Sequence, residues 1–349
     1  MPDVEDSGRS RLEGETSAIR AGPAEGLGGL PPSELPGAEL AGLRPVDLAE
    51  EVLGAPSGGE VVAHGGVFVR SARVFVENKL AVVGLAVIVL AVLFSCVGPF
   101  FYHTNQTNSQ AALLNSFENA HPNGQHLLGT DQQGYDILGR LMYGGQRSLL
   151  VGFLAALIAT VIGVAYGAVS GFFGGWVDAV MMRIVDVLLS IPILFFLIVL
   201  ATIFHPSLFV LVVVIGIVSW LVPARLVRGN TLSLRVREYV QAVRVMGGSR
   251  TRIIARHIIP NTIGTIIVNA TFQIADAILL LAALGFLGLG VPPPQTDWGS
   301  MLSHGVDNAI AGYWWEIYPA GLAIVLVVVA FNFVGDALRD SLEVRLQQR

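Results

Sequence analysis

The stretch 235-RVREYVQAVRVMGGSRTRIIARHIIPN-261 decides how the rest of the chain is read, because it is the longest polar segment between apolar spans. Its spacing predicts two short helices joined by a break. Val236, Val240, Val243 and Met246 recur at three- and four-residue intervals and share one helical face, while Arg237, Gln241 and Arg244 point elsewhere. Gly247-Gly248 ends the first helix, since glycine tolerates the left-handed conformation that stops one, and Ser249 is a ready N-cap for the second. The second helix carries Ile253, Ile254 and Ile258 on one side and Arg252 and Arg256 on the other. Pro260, which has no N–H to offer, is expected to stop it. Two readings fit this pattern: amphipathic pieces lying on anionic lipid, or a rigid elbow that docks on a partner.

Outward from this segment the chain is apolar. It is 53% hydrophobic and 13% charged, with a mean hydropathy of +0.65, values that exclude an ordinary soluble domain and imply an all-α polytopic membrane protein. Six stretches reach the roughly 20 residues needed to cross about 30 Å of hydrocarbon. They fall at residues 80–101, 149–172, 180–204, 208–227, 263–289 and 314–333. Basic residues in short loops set orientation. Arg70, Arg73 and Lys79 precede the first span, arginines from Arg225 to Arg256 cluster between spans four and five, and Arg339, Arg345 and Arg349 follow the last. The loops between spans three and four and between five and six carry no Lys or Arg, and the first outer loop has only Arg140 and Arg147. Both termini and the segment at 235–261 are therefore expected on the cytoplasmic side.

The net charge of -5 arises from an acidic excess in the first sixty residues. That region is rich in Gly, Pro, Ser and Glu and has no aromatic residue, so it is expected to be a disordered tail rather than a secretory signal. The single cysteine, Cys96, sits in an apolar run and is read as packing. Lys79 is the only lysine and follows Asn78, so no Gly-Lys-Ser/Thr phosphate loop exists. There is no His-Glu-x-x-His and no Gly-x-Ser-x-Gly. The chain is read as non-enzymatic, binding no cofactor of its own.

Further constellations have a structural and a functional reading side by side. Residues 129–141 (GTDQQGYDILGRL) predict a turn and a short amphipathic piece, with Asp131 or Asp136 as cap. His121 and His126 flank it, but their spacing does not put both on one helical face, and ordinary loop histidines are the simpler reading than a metal pair. Gly163, Gly167 and Gly171 form a four-residue stripe that lets helices approach closely in lipid. Arg183 and Asp186, three apart, suit an ion pair near the inner surface. Asn269, Gln273 and Asp276 share a helical face at membrane depth, where polar groups line a route for solute or tie helices together. The run Gly285-Phe286-Leu287-Gly288-Leu289-Gly290 is no dinucleotide loop, since no strand precedes it.

The first of these segments resembles a known pattern. Gln241-Ala242-Val243, Gly247, His257, Ile258, Ile259-Pro260 and Asn261 resemble the EAA loop of ABC importer permeases, which reads Glu-Ala-Ala, three residues, Gly, then a spacer ending in Leu-Pro. Here Gln241 replaces the acidic residue. Residues 129–141, the turn Gly174-Gly175-Trp176-Val177-Asp178 with Met182 to Asp186, the run 285–290, Trp298-Gly299-Ser300-Met301-Leu302, and residues 332–340 are similar to dipeptide and oligopeptide permeases, in the same order. Many of those have a carboxylate where this chain has Leu280 and Leu281.

That resemblance implies the type I importer permease fold with six transmembrane helices. The segments would be a tail at 1–65, a first transmembrane helix at 75–101 and an extracytoplasmic loop at 102–146. A permease domain at 147–340 would follow, with five helices and a coupling loop at 233–261, then a C-terminal tail at 341–349. It further implies the second (C-type) permease of a pair, forming with a homologous permease the route for peptides delivered by an extracytoplasmic binding protein. ATP and Mg would be handled by two cytoplasmic ATPase subunits touching Gln241, Ala242, Gly247, Gly248, Ser249, His257 and Pro260. The same fold importing another solute such as nickel is the nearest alternative. A secondary transporter would need an inverted repeat and coupling-ion ligands, and a membrane scaffold would leave the motifs unused.

Overall fold

The computed structural model describes residues 75–106, 108 and 118–347. The expected tail at 1–65 lies outside the described residues. Twelve α-helices are labelled here in chain order, and no β-strand is present among the described residues, one isolated bridge between Thr130 and Asp136 aside.

Helix α1 (Lys79–Cys96) opens on Asn78, whose side chain accepts from the N–H groups of Leu80 and Ala81. It breaks at Val97 before Gly98-Pro99, and the short α2 (Gly98–Phe101) follows, so the expected helix at 75–101 is two pieces. Cys96 is exposed at the end of α1 rather than packed in a core. Helix α3 (Ile137–Phe173) is 37 residues long. It begins well before the boundary expected at 147, because the amphipathic piece after Asp136 runs straight into the apolar span without a breaker. Asp136 caps it by accepting from the N–H of Gly139 at 2.8 Å.

The span expected at 180–204 is broken. Helices α4 (Gly175–Leu189) and α5 (Ile193–Ile203) meet at 83°. Pro192 has no N–H and pushes Ile191 out of the helical region, and the Ser190 hydroxyl donates back to the carbonyl of Val187 at 2.6 Å. Helices α6 (Leu208–Ser219) and α7 (Leu221–Leu234) together make one 27-residue candidate span. After α8 (Glu238–Val245) and α9 (Arg250–Ile253), a π-helical turn (Ile254–Ile258) leads into α10 (Ile259–Phe286). Helix α11 (Trp298–Ala309), a 3₁₀ turn (Trp314–Glu316) and α12 (Tyr318–Gln347) complete the chain. The last helix continues to Gln347, so the tail expected at 341–349 is largely helical. Among the described residues, five helical segments are long and apolar enough to cross a membrane, or six if α4 and α5 count as one bent span.

The helices pack as a chain of neighbours: α1 on α12, α12 on α10, α10 on α3, and α3 on α6 and α7. Without a hydrophobic force between helices in lipid, close backbone approach must hold them together. The glycine stripe supplies it. A Cβ on Gly163 would lie 2.5 Å from Pro223 Cβ and 2.9 Å from the Trp220 carbonyl, and one on Gly171 would lie 2.8 Å from the Arg228 carbonyl. Gly167 faces the carbonyl of Ala224 in the same way. Beside this seam Asp178 of α4 takes a two-pronged bond from Arg228 of α7 at 2.5 and 2.6 Å, and a further bond from Ser170 of α3 at 2.5 Å. Asp186 pairs with Arg225 of α7 rather than with Arg183 as expected. Tertiary packing brought a second arginine closer than the helix's own neighbour.

Gly167→Leu is expected to cost about 1–3 kcal/mol or more by overpacking the α3–α7 contact, read as a lower thermal midpoint in detergent. Gly229, on α7 but facing open space, is the contrast: Gly229→Ala should hold or raise the midpoint, by up to roughly 1 kcal/mol of helix propensity.

Candidate coupling segment and membrane groove

The polar segment forms a compact elbow beneath the end of α3. Val240, Ile253, Ile254 and Ile258 are buried with Ala168 and Phe172 of α3, Val227 of α7 and Ile266 of α10, and Val243 packs against them. Val236 and Met246, expected on that face, are 65% and 77% exposed. They lie outside α8, where the helical period no longer applies. Arg244 and Arg250 stand over the rings of Phe172 and Phe173, 5.4 and 5.2 Å from the ring centres. Arg235 donates to the carbonyl of Gly171 at 3.0 Å. These three guanidinium groups, with Gln241 and Gly248, line a pocket of about 580 Å³ between α3 and the elbow.

The break between α8 and α9 is a Schellman turn. Gly247 has φ +80, its N–H bonds to the Arg244 carbonyl at 3.1 Å, and the Gly248 N–H bonds to the Val243 carbonyl at 2.9 Å. A side chain at Gly247 would meet open space, so the backbone angle alone demands glycine there. Ser249 caps α9 through the Arg252 N–H at 3.4 Å, and Gln241 donates to the Arg235 carbonyl at 3.1 Å. Ala242 is exposed, His257 half-buried and Pro260 exposed.

Pro260 does not stop the second helix. It sits in the first turn of α10, and the chain from Arg250 to Phe286 is one 37-residue helical segment. A proline inside a helix removes an N–H and crowds the carbonyl four residues back. The π turn at Ile254–Ile258 lies just before it, in the stretch where that ladder would be disturbed. The elbow is thus joined to a membrane helix without a loop.

Within the membrane, two helix breaks meet on one side of α10. Pro223 brings no N–H to the carbonyl of Ser219, four residues earlier, and the helix parts there at Trp220. Gln273 of α10 supplies the missing donor, its Nε2 bonding to that carbonyl at 2.7 Å. Opposite lies the 83° corner between α4 and α5. Between them opens a groove of about 360 Å³, walled by Leu188, Ile193, Phe196 and Leu280 and reached by Ser219, Gln273 and Asp276. Gln273 is buried and Asp276 exposed; Asn269 is half-buried one turn nearer the elbow and does not line the groove. The groove was hidden in sequence, although Pro192 and Pro223 inside apolar runs were the available signal.

At the far end, the loop motif is a knot of caps. Asp131 accepts from the N–H groups of Gln133 and Tyr135, both at 2.9 Å, and lies 3.5 Å from Arg140. Burial pushes its carboxyl above the usual range, against the pull of Arg140. Asp136 also accepts from Tyr102 at 2.7 Å and bonds His126 at 2.9 Å. Burial, then this carboxylate, push the Tyr102 phenol up to about 12. His121 is elsewhere, its ring centre 4.5 Å from that of Trp315 and tilted 53° to it, so the two histidines serve separate contacts. The run 285–290 closes around the carboxylate of Asp297, which accepts from Val291 at 2.9 Å and from the Ser300 N–H at 3.0 Å.

Gln273→Leu should cost about 1–3 kcal/mol, the usual cost of a buried unpaired carbonyl. In a Pro223→Ala background, which restores a backbone N–H, the same change should cost much less. Equal losses in both backgrounds, read as thermal midpoints, would reject this account of the break.

Comparison with known proteins places these features in a family. Residues 146–348 match the description "Binding-protein-dependent transport system inner membrane component", and residues 68–122 match "N-terminal TM domain of oligopeptide transport permease C". The oligopeptide transport system permease protein OppC of Haemophilus influenzae is 40% identical over 271 residues, covering 78% of this chain and 86% of that protein. The dipeptide transport system permease protein DppC of Bacillus subtilis is 38% identical over 272 residues, covering 78% and 84%. A solved methionine ABC transporter, MetNI in inward-facing conformations, is a looser likeness, with 19% identity, 58% and 95% coverage and a TM-score of 0.48.

Proposed function

The chain belongs to the family of binding-protein-dependent transport inner-membrane components, and from that premise we propose that it is one permease subunit of an ATP-driven peptide importer in the cell membrane. It pairs with a homologous permease, receives dipeptides or oligopeptides from an extracytoplasmic binding protein, and couples to two cytoplasmic ATPase subunits that hold ATP and Mg. Its relatives' names support the peptide substrate. The arginine-rich elbow marks the cytoplasmic side, with both termini on that side.

The observation that carries the mechanism is the unbroken helical segment from Arg250 to Phe286. At 1.5 Å per residue it spans about 55 Å, joining the docking surface to the groove. Tyr239, Ala242, Val245 and Met246 leave the elbow exposed, and this is the surface offered to the ATPase. Gly247, Gly248 and Ser249 fix the angle between its two arms, with Gln241 bracing the first. His257 and Pro260 stand where the second arm becomes α10. When ATP closes the two ATPases, the elbows are drawn together and α10 is displaced with them. Moving a two-state pathway from 1:99 to 99:1 takes about 5.5 kcal/mol, which reaches the groove only through a stiff connection. Asp276 and Gln273 border the route there, and Asn269 continues the same face toward the elbow.

A complex purified through this chain should contain two ATPase chains and a second permease, and vesicles carrying it should take up a tripeptide only with ATP. Uptake driven by a proton gradient without ATP would support the secondary-transporter reading instead, and nickel uptake that peptide does not inhibit would support the other solute. Gly247→Val places a β-branched residue at φ +80, at a cost of about 1–3 kcal/mol, and should lower peptide-stimulated hydrolysis at least tenfold in an assembled complex. Gly247→Asn, which tolerates that angle better, should retain most of it.

A further inference from the structure

The groove holds a recognition device that the peptide-import reading leaves open, and the inference below rests on that reading. Asp276 is the only charged residue lining it; no Lys, Arg or His is among the lining residues. It lies 17 residues beyond Ile259 and 10 before Phe286 on α10, about 25 and 15 Å along the helix. A carboxylate at such depth is costly and is retained where a cation or water meets it. No hydrogen bond or ion pair from Asp276 is present among the described residues.

A second, independent feature points to a donor-bearing ligand. Ser219 lines the same groove, the residue is only 8% exposed, and its Oγ, buried in the groove wall, has no hydrogen-bond partner among the described residues. Gln273 cannot satisfy it with the N–H already committed to the Ser219 carbonyl. That same bond fixes Ser219 beside α10, one helical turn from Asp276. The remaining wall is apolar, with Leu188, Ile193, Phe196 and Leu280 among its residues. One negative group in an apolar groove, with an unpartnered hydroxyl in the wall beside it, complements a group with several N–H donors and a positive charge, carried next to apolar side chains.

We propose that Asp276 and the Ser219 hydroxyl hold the protonated amino terminus of a peptide in transit, its first side chains resting on the apolar wall. A single charge–charge contact, open on one side, gives a station the peptide can leave. The mechanism would favour peptides with a free amino terminus over acylated ones at the permease itself, in addition to any selection by the binding protein.

The test uses the assembled complex in a Cys96→Ala background, with Leu279→Cys or, should that fail to assemble, Val222→Cys as reporter, both exposed residues lining the groove. A cationic thiol reagent, aminoethyl methanethiosulfonate, is compared with its anionic sulfonatoethyl counterpart, each rate scaled to a free thiol. The cationic reagent should be favoured at least tenfold, within the range by which a charged cleft concentrates its counter-ion. Asp276→Asn should abolish the preference and Asp276→Glu keep it. Trialanine should slow labelling in the parent, and N-acetyl-trialanine should not. Absence of a charge preference overturns the proposal and points to a cation of the partner permease already facing Asp276; a preference unchanged by Asp276→Asn overturns it too and points to a different anionic group. No labelling in any nucleotide state, in a complex that still imports trialanine, overturns it too and makes the groove a dry contact. A complex that imports no peptide at all overturns the import reading instead.

Discussion

Inside a bilayer every backbone carbonyl must find its donor within the protein, and the bond from Gln273 to Ser219 is where this chain meets that demand at a fault in its own helix. Pro223 removes the donor, and α10 returns it from a different element at 2.7 Å. The arrangement fixes α10 against the α6–α7 junction and determines which side chains face the groove. Gln273 is thereby committed to structure, while Asp276, three residues on, remains unpaired among the described residues. A residue pair that looks equivalent on a helical wheel is divided by one proline on a neighbouring helix.

An elbow of polar sequence is likewise tied to the membrane helices. Its apolar stripe is anchored under α3 by Val240, Ile253, Ile254 and Ile258, and its arginines rest on Phe172 and Phe173. The second arm then enters the membrane as α10 without an intervening loop. A flexible link would dissipate a displacement in backbone torsions, whereas a helix passes it on with little change of length. The π turn ahead of Pro260 keeps this continuity by absorbing the disturbed ladder locally.

The motifs between the termini are mostly fittings of backbone to backbone. Gly163, Gly167 and Gly171 admit α7; Asp136 and Asp131 tie down the turn before α3; and Gly285 and Gly290 make room for Asp297. On the far side from the elbow, histidines that spacing left open between metal and loop roles are used singly, one on Asp136 and one on Trp315.

Sequence alone determined what depends on local period and composition. Apolar length gave five of the membrane spans but not the corner in the one expected at 180–204; glycine and serine at 247–249 gave the turn and its cap, and four-residue glycine spacing gave the tight seam, since these are set by near neighbours in sequence. Ordered motifs added the family resemblance. What lies across space was decided only by the tertiary structure. Arg225 rather than Arg183 meets Asp186, because α7 packs against α4. Pro260 starts a helix rather than ending one, because a π turn before it takes up the strain. The groove exists because the break at Pro192 and the break at Pro223, more than thirty residues apart in sequence, are brought to the same side of α10. No local pattern encodes that meeting, as it depends on which helix faces are left to pack after the glycine seam has formed.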